Sequence, residues 1–160
     1  MYETRNDLTE TIRLKIIELC NSRLADSIDL QTQCKHAHWN VEGPTFIALH
    51  KLFDEVNEDI EEYVDLVAER IVQLGGIAEG TARVAAKRSN LAEYKVETNG
   101  GMDHVRSLAS SLASYEKLAR AAISTSAELN DADTADIFTE IFRGVDKWLW
   151  MVEVHLQESK

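Results

Sequence analysis

Apolar side chains recur every three or four residues over four long stretches of this chain, and polar residues fill the positions between them. The first stretch runs from about Asp7 to His38, with Leu8, Ile12, Ile16, Leu19, Leu24 and Ile28 on one stripe. Asp7, with Glu10 three residues later, resembles a capping box at its start. Trp39–Gly43 breaks the pattern, and Pro44 opens a second helix, where a missing N–H is harmless. That helix carries Phe46, Leu49, Phe53, Val56, Ile60, Tyr63, Val67, Ile71 and Leu74 before Gly75-Gly76 stops it. A third begins near Asp103 with Val105, Leu108, Leu112, Tyr115, Ala119 and Ala122. Asn130–Asp133 separates it from a fourth, which carries Ile137, Ile141, Val145, Trp148, Val152 and Leu156.

Four helices with one apolar stripe each predict an all-α four-helix bundle. The breaks after the first and third helices are short, which makes those pairs antiparallel. The connection from Gly75 to Gly101 is long for a compact domain and predicts a short helix near Thr81–Arg88. Such a crossover returns the chain to the end where the second helix began, giving an up-down-down-up order. A single proline and seven glycines support long helices over many short strands.

At 160 residues the chain reads as one domain, 1–160, able to bury most of its apolar surface in one core. The formal charge of −11 disfavours direct duplex binding, because the longest basic cluster is Lys87-Arg88. An acidic balance suits cations as partners, and it also keeps a protein soluble. Cys20 and Cys34 lie in a helical pattern without Cys-x-x-Cys spacing and read as reduced, inert thiols of a cytoplasmic protein. The first residues form no signal peptide, and nothing directs the chain to a membrane.

Candidate chemistry sits beside the stripe of the second helix, where His50, Asp54, Glu58, Glu62, Asp65 and Glu69 step by fours and threes. A solvated charged face explains such a row. The pairs His50/Asp54 and Asp65/Glu69 are each four apart, however, so each pair can converge on one ion, and imidazole with carboxylates suits Fe(II). Asp54 and Asp65 lie about 16 Å apart along the axis, too far for one site in one chain. Two copies crossing antiparallel about a twofold axis near Asp59–Ile60 bring Asp54 of one beside the partner's Asp65, and His50 beside the partner's Glu69. His38, at the same end of the bundle as His50, is placed to complete the set, while His36 points elsewhere. A di-iron site inside the bundle needs Glu-x-x-His on two helices, and no such tetrad occurs, which predicts an apolar bundle interior.

Lys35-His36-Ala37-His38-Trp39-Asn40-Val41-Glu42-Gly43-Pro44-Thr45-Phe46, Leu49-His50, Phe53-Asp54, Asp65–Arg70 and Leu74-Gly75-Gly76 closely resemble the Dps family, the DNA-binding proteins from starved cells or miniferritins. Asp133–Ile137 and Asp146–Trp150 match as well, so the likeness spans nearly the whole chain. The resemblance implies a ferritin-like fold. It implies a ferroxidase centre of His38, His50 and Asp54 from one subunit with Asp65 and Glu69 from a twofold partner. It further implies a hollow shell of twelve subunits that oxidises Fe(II), preferring hydrogen peroxide to oxygen, and stores Fe(III) as oxide. Zinc or another divalent ion fits the same donors. Some members bind DNA through a lysine-rich tail. Here the residues before Leu8 hold one arginine and no lysine, so DNA binding is not expected.

Other residues carry two readings each. Glu55, Glu58 and Glu62 either gather ferric ions for mineral growth or form a solvated face. Asp131, Asp133 and Asp136 serve as helix-cap carboxylates, or, by the resemblance, line a threefold cation pore, with Asp136 foremost. Trp39 is either an oxidisable neighbour of the centre or a packing residue, and Trp148 and Trp150 read as core and interface. Three functional classes result: a ferroxidase and iron-storage shell, a DNA-compacting protein, and a structural bundle without metal.

Overall fold

The computed structural model describes residues 2–98 and 100–157; Met1 and residues 158–160, the ends of the expected domain, lie outside the described residues. It is helical, with α1 Glu10–Asn40, α2 Phe46–Gln73, α3 Ala82–Arg88, α4 Gly101–Glu128 and α5 Ala132–Glu153, followed by a 3-10 turn at Val154–Leu156. α1 packs chiefly on α2, and α4 on α5. An isolated bridge between Glu42 and Gly100 sets the start of α4 beside the α1–α2 turn, which establishes the up-down-down-up order. This is the ferritin-like bundle with one crossover.

Helix ends differ from the sequence reading for reasons of local hydrogen bonding. α1 starts at Glu10 because Thr9, not Asp7, is the N-cap: its hydroxyl accepts from the Ile12 N–H at 3.4 Å. α1 also runs through Trp39 to Asn40, two residues beyond His38. Pro44 lies in the turn ahead of α2 and not inside it, since Gly43 takes φ +106° and its carbonyl accepts from the Phe46 N–H. α4 begins at Gly101, two residues before Asp103, and the α-helical part of α5 stops at Glu153. Gly75 ends α2 as expected: at φ +86° it lets the Gly76 N–H reach the Ile71 carbonyl. Asn130, at φ +59°, does the same after α4.

The core is built from Ile16, Leu24, Leu30, Leu49, Phe53, Ile60, Ile71, Leu108, Leu112, Phe138 and Ile141, all fully buried. Cys20 and Cys34 are free and buried, and burial pushes each thiol up to about 12. The interior is not wholly apolar, contrary to expectation. Ser27 Oγ lies 2.6 Å from Tyr115 Oη, and Arg23 Nε lies 2.7 Å from Asp26 Oδ2. Part of the reason lies in the crossover, whose backbone polar groups need partners. Asp26 accepts from the Asn90 N–H at 2.6 Å, Asn21 bonds both Ile77 and Glu79, and Gln33 donates to the Ala92 carbonyl. Polar side chains on α1 thus hold the long connection against the bundle.

Candidate metal centre

His38 stands in the last turn of α1 and His50 in the second turn of α2, and their rings stack with centroids 3.8 Å apart. His38 Nδ1 lies 2.8 Å from the His50 carbonyl, and His50 Nδ1 lies 2.9 Å from the His38 carbonyl. A carbonyl only accepts, so each Nδ1 must carry its proton and donate. The His38 carbonyl is one of the four that a helix C-terminus leaves without an intrahelical partner, so the contact satisfies the backbone as well. With Nδ1 protonated and engaged, each ring leaves its Nε2 lone pair for a metal ion. This is the arrangement of outer partners that fixes a ligating histidine's tautomer and direction.

Asp54 follows one turn after His50, with Oδ1 3.7 Å from His38 Nδ1. Lys35, one turn before His38, places Nζ 2.5 Å from the same oxygen. The Lys35 ammonium, aided by His38 and His50 and against partial burial, holds the Asp54 carboxyl below the usual carboxylate range. Sequence reasoning missed Lys35. Its place three residues before His38, on the same face of α1, was the available signal.

Asp65 and Glu69 are exposed further along the same face of α2. The structure groups His38, His50 and Asp54 at one end of α2 and leaves Asp65 and Glu69 toward the other. Among the described residues of one chain, no three His, Cys, Asp or Glu side chains converge on a common metal position. His36 turns away from the pair, against Tyr94 and His104, whose Nδ1 is 2.6 Å from Tyr94 Oη.

Glu55, Glu58 and Glu62 are exposed on α2, and Asp136 is exposed on α5. Asp131 is 2% exposed and acts as the N-cap of α5. Its Oδ1 accepts from Arg70 Nη2 at 2.8 Å and from the Thr134 N–H at 3.1 Å, and its Oδ2 accepts from the Thr134 hydroxyl at 2.6 Å. Burial by itself would raise the Asp131 pKa, but Thr134 and Arg70 outweigh it and hold the carboxyl below its ordinary value. Both oxygens are engaged, so the cap reading describes Asp131, and Asp133 pairs with the same Arg70 at 2.5 Å. Trp39 is 69% exposed and borders a shallow surface depression with Lys35 and Asn57, outside the core. Trp148 is core and donates from Nε1 to Asp59 at 2.6 Å, while Trp150 is exposed.

Comparison with known proteins agrees with this architecture. The ferritin-like domain family matches residues 17–160. The DNA protection during starvation protein of Agrobacterium fabrum is 39% identical over 158 residues, spanning 99% of this chain and 98% of that protein. The tetragonal form of Mycobacterium smegmatis Dps superposes with a TM-score of 0.93 at 28% identity, covering 99% of this chain and 96% of the other. DpsC from Streptomyces coelicolor gives 0.95 at 28% identity, with 99% and 93% covered. The chain therefore belongs to the ferritin-like family and, within it, to the Dps group whose likeness its Lys35–Phe46 stretch carries.

Proposed function

We propose that this protein is a ferroxidase that oxidises Fe(II), with hydrogen peroxide as the oxidant, at a centre shared by two copies of the chain. Ferric iron is then stored inside a hollow homo-oligomer, a dodecamer by family likeness, which protects a cytoplasm against oxidative damage. Ferritin-like membership supports an iron-handling role in general. The observation that carries the finer reading is the reciprocal pair of His38 and His50. Two imidazoles locked through Nδ1 to each other's backbone carbonyls, with Nε2 left free on each ring and an ionised Asp54 one turn along α2, form an oriented half-site and not a solvated face. The partner's Asp65 and Glu69 supply the remaining carboxylates in the antiparallel register. No described helix is long and apolar enough to cross a membrane.

The chain's residues have separable tasks. Imidazole nitrogen binds Fe(II) well, and carboxylate oxygens favour Fe(III), so the mixed set assists loss of an electron. One peroxide that takes an electron from each of two Fe(II) ions, with two protons, becomes two waters and releases no hydroxyl radical. A stopped-flow titration of anaerobic Fe(II)-loaded protein with peroxide, with a spin trap present, tests this. About two Fe(II) consumed per peroxide, with little trapped radical, is the expected result. A ratio near one with abundant hydroxyl adduct would show ordinary Fenton chemistry and sink the detoxifying reading. In His50→Ala/Asp54→Ala the fast phase should vanish with helicity unchanged.

A further inference from the structure

The outer face of α2 is apolar at both ends and charged between them. At its N-terminal end Ile47 is 60% exposed, and at its C-terminal end Val72 is 45% exposed. By helical periodicity both lie on the face that holds Asp54 and Asp65. Val72 borders an open depression of about 420 Å³ lined by Tyr2, Ala68, Glu69, Val72, Gln73 and Ala78. The depression is built rather than incidental. The segment ahead of α1 folds back on the end of α2, where the Tyr2 N–H donates to the Gly75 carbonyl at 3.0 Å and the Tyr2 hydroxyl donates to the Val72 carbonyl. A Cβ on Gly75 would meet the Tyr2 carbonyl oxygen at 2.8 Å, so this wall depends on a glycine there. Tyr2 stays half exposed with its ring in the depression.

We propose that Ile47 of one copy plugs this depression on the other, seated against the partner's Val72, Tyr2, Ala68 and Ala78, and so fixes the register of the shared centre and closes one end of it. The proposal rests on the twofold reading above. An axis near Asp59–Ile60 that sets Asp54 opposite the partner's Asp65 sets Ile47 opposite the partner's Val72. Charge agrees at the flanks: Lys51 occupies the half that meets the partner's Asp65 and Glu69. In the middle it disagrees, because Glu58 and Glu61 meet the partner's Glu61 and Glu58, and like charges do not hold helices together. Burial of Ile47 and Val72 at both ends supplies the attraction that the middle lacks. Glu69 lines the depression itself, so the plug abuts a proposed metal ligand and excludes water from that side of it.

A disulfide reads the contact directly. Residues 47 and 72 stand about 37 Å apart along one rigid helix, whereas a disulfide needs Cα atoms within about 7 Å. Any bond between cysteines introduced at these two positions must therefore join two chains. Ile47→Cys/Val72→Cys, oxidised with diamide, should run as a covalent dimer on a non-reducing gel. Each single variant should run as a monomer, since the native Cys20 and Cys34 are buried. Both new positions are exposed, and circular dichroism confirms the fold. Adding Tyr2→Ala should slow the bond's formation, and an unchanged rate would remove the Tyr2 arm from the plug. No covalent dimer from a protein that light scattering shows to be assembled, and that binds Zn(II), overturns the plug while leaving the metal reading standing. A covalent dimer from a protein that binds neither Zn(II) nor Fe(II) overturns the metal reading and leaves the plug. A wild-type chain that is monomeric in solution overturns both.

Discussion

Replacing Lys35 with methionine should tighten metal binding. Its ammonium sits 2.5 Å from Asp54 Oδ1, so an incoming ion must take that oxygen from Lys35. Both side chains are about one-third exposed, which makes the pair a solvated one, typically 0.2–1 kcal/mol. A divalent ion held by Asp54 would stand roughly 5 Å from an ammonium that stayed in place. In water-like dielectric that repulsion is about 1.7 kcal/mol, and physiological salt reduces it to about 1 kcal/mol. Together these amount to about 1–2 kcal/mol, or roughly five- to thirty-fold tighter binding. The assay is calorimetric titration of the assembled protein with Zn(II), which occupies the same donor types without redox chemistry. Lys35→Arg, which keeps the charge, should bind like wild type. The gain in Lys35→Met should shrink as salt rises, because the Coulomb part is screened. Unchanged or weaker Zn(II) binding in Lys35→Met would refute the competition and, with it, the role of Asp54 as a ligand.

Three further outcomes follow from packing and charge. Gly144→Ala drives a Cβ into the Tyr63 hydroxyl. The overpacking, about 1–3 kcal/mol, exceeds the roughly 1 kcal/mol that alanine gains over glycine in a helix, so thermal denaturation should show a net loss that Tyr63→Phe relieves. Asp131→Ala leaves Arg70 short of a buried partner and removes the α5 cap, so stability should fall by about 3–5 kcal/mol, or roughly 6–20 °C in Tm. Since the Asp131 pKa is depressed in the folded protein, its contribution is present above the ordinary carboxylate pKa and is lost as pH falls through the folded value. Acid titration of Asp131→Ala should therefore lack that part of the wild-type loss. Duplex DNA should not bind appreciably at 150 mM salt, because a chain with net charge −11 has few cations to release phosphate counterions. A micromolar complex in a gel shift without divalent metal would contradict this.

α2, α4 and α5 were legible because their apolar stripes are long and regular, whereas α1 buries Asn21, Arg23, Asp26 and Gln33 and only partly covers Ile12, Leu19 and Ile28 of the expected stripe. The crossover was legible because a gap of about 25 residues needed an explanation. Helix ends were less so. Thr9 outcompetes Asp7 as a cap, and Gly43 moves the start of α2 past Pro44, through turn geometry that composition does not reveal. The spacing of His50, Asp54, Asp65 and Glu69 showed which residues share a face and which cannot share a chain. It could not show the bonds from His38 and His50 to each other's carbonyls, because backbone acceptors leave no mark in a sequence. Nor could it show Arg70 reaching Asp131 and Asp133, sixty residues away, across the end of the bundle. The burial of Asp26 escaped notice because, besides Arg23 on its own helix, its partner is Asn90 in the crossover, far from any periodic pattern.

The shared centre is tested most directly by mixing two inactive proteins. His50→Ala damages one half-site and Asp65→Ala the other, so each homo-oligomer should lose fast Fe(II) oxidation. In a mixed pair, the Asp65→Ala chain contributes intact His38, His50 and Asp54, and the His50→Ala chain contributes intact Asp65 and Glu69. One of the two sites is then whole. Random co-assembly of equal amounts should restore about a quarter of wild-type activity, since about half of the interfaces are mixed and half of their sites are intact. Native mass spectrometry verifies the mixing. Recovery near that level is the predicted result, and no recovery in verified mixed assemblies would contradict a centre made by two chains.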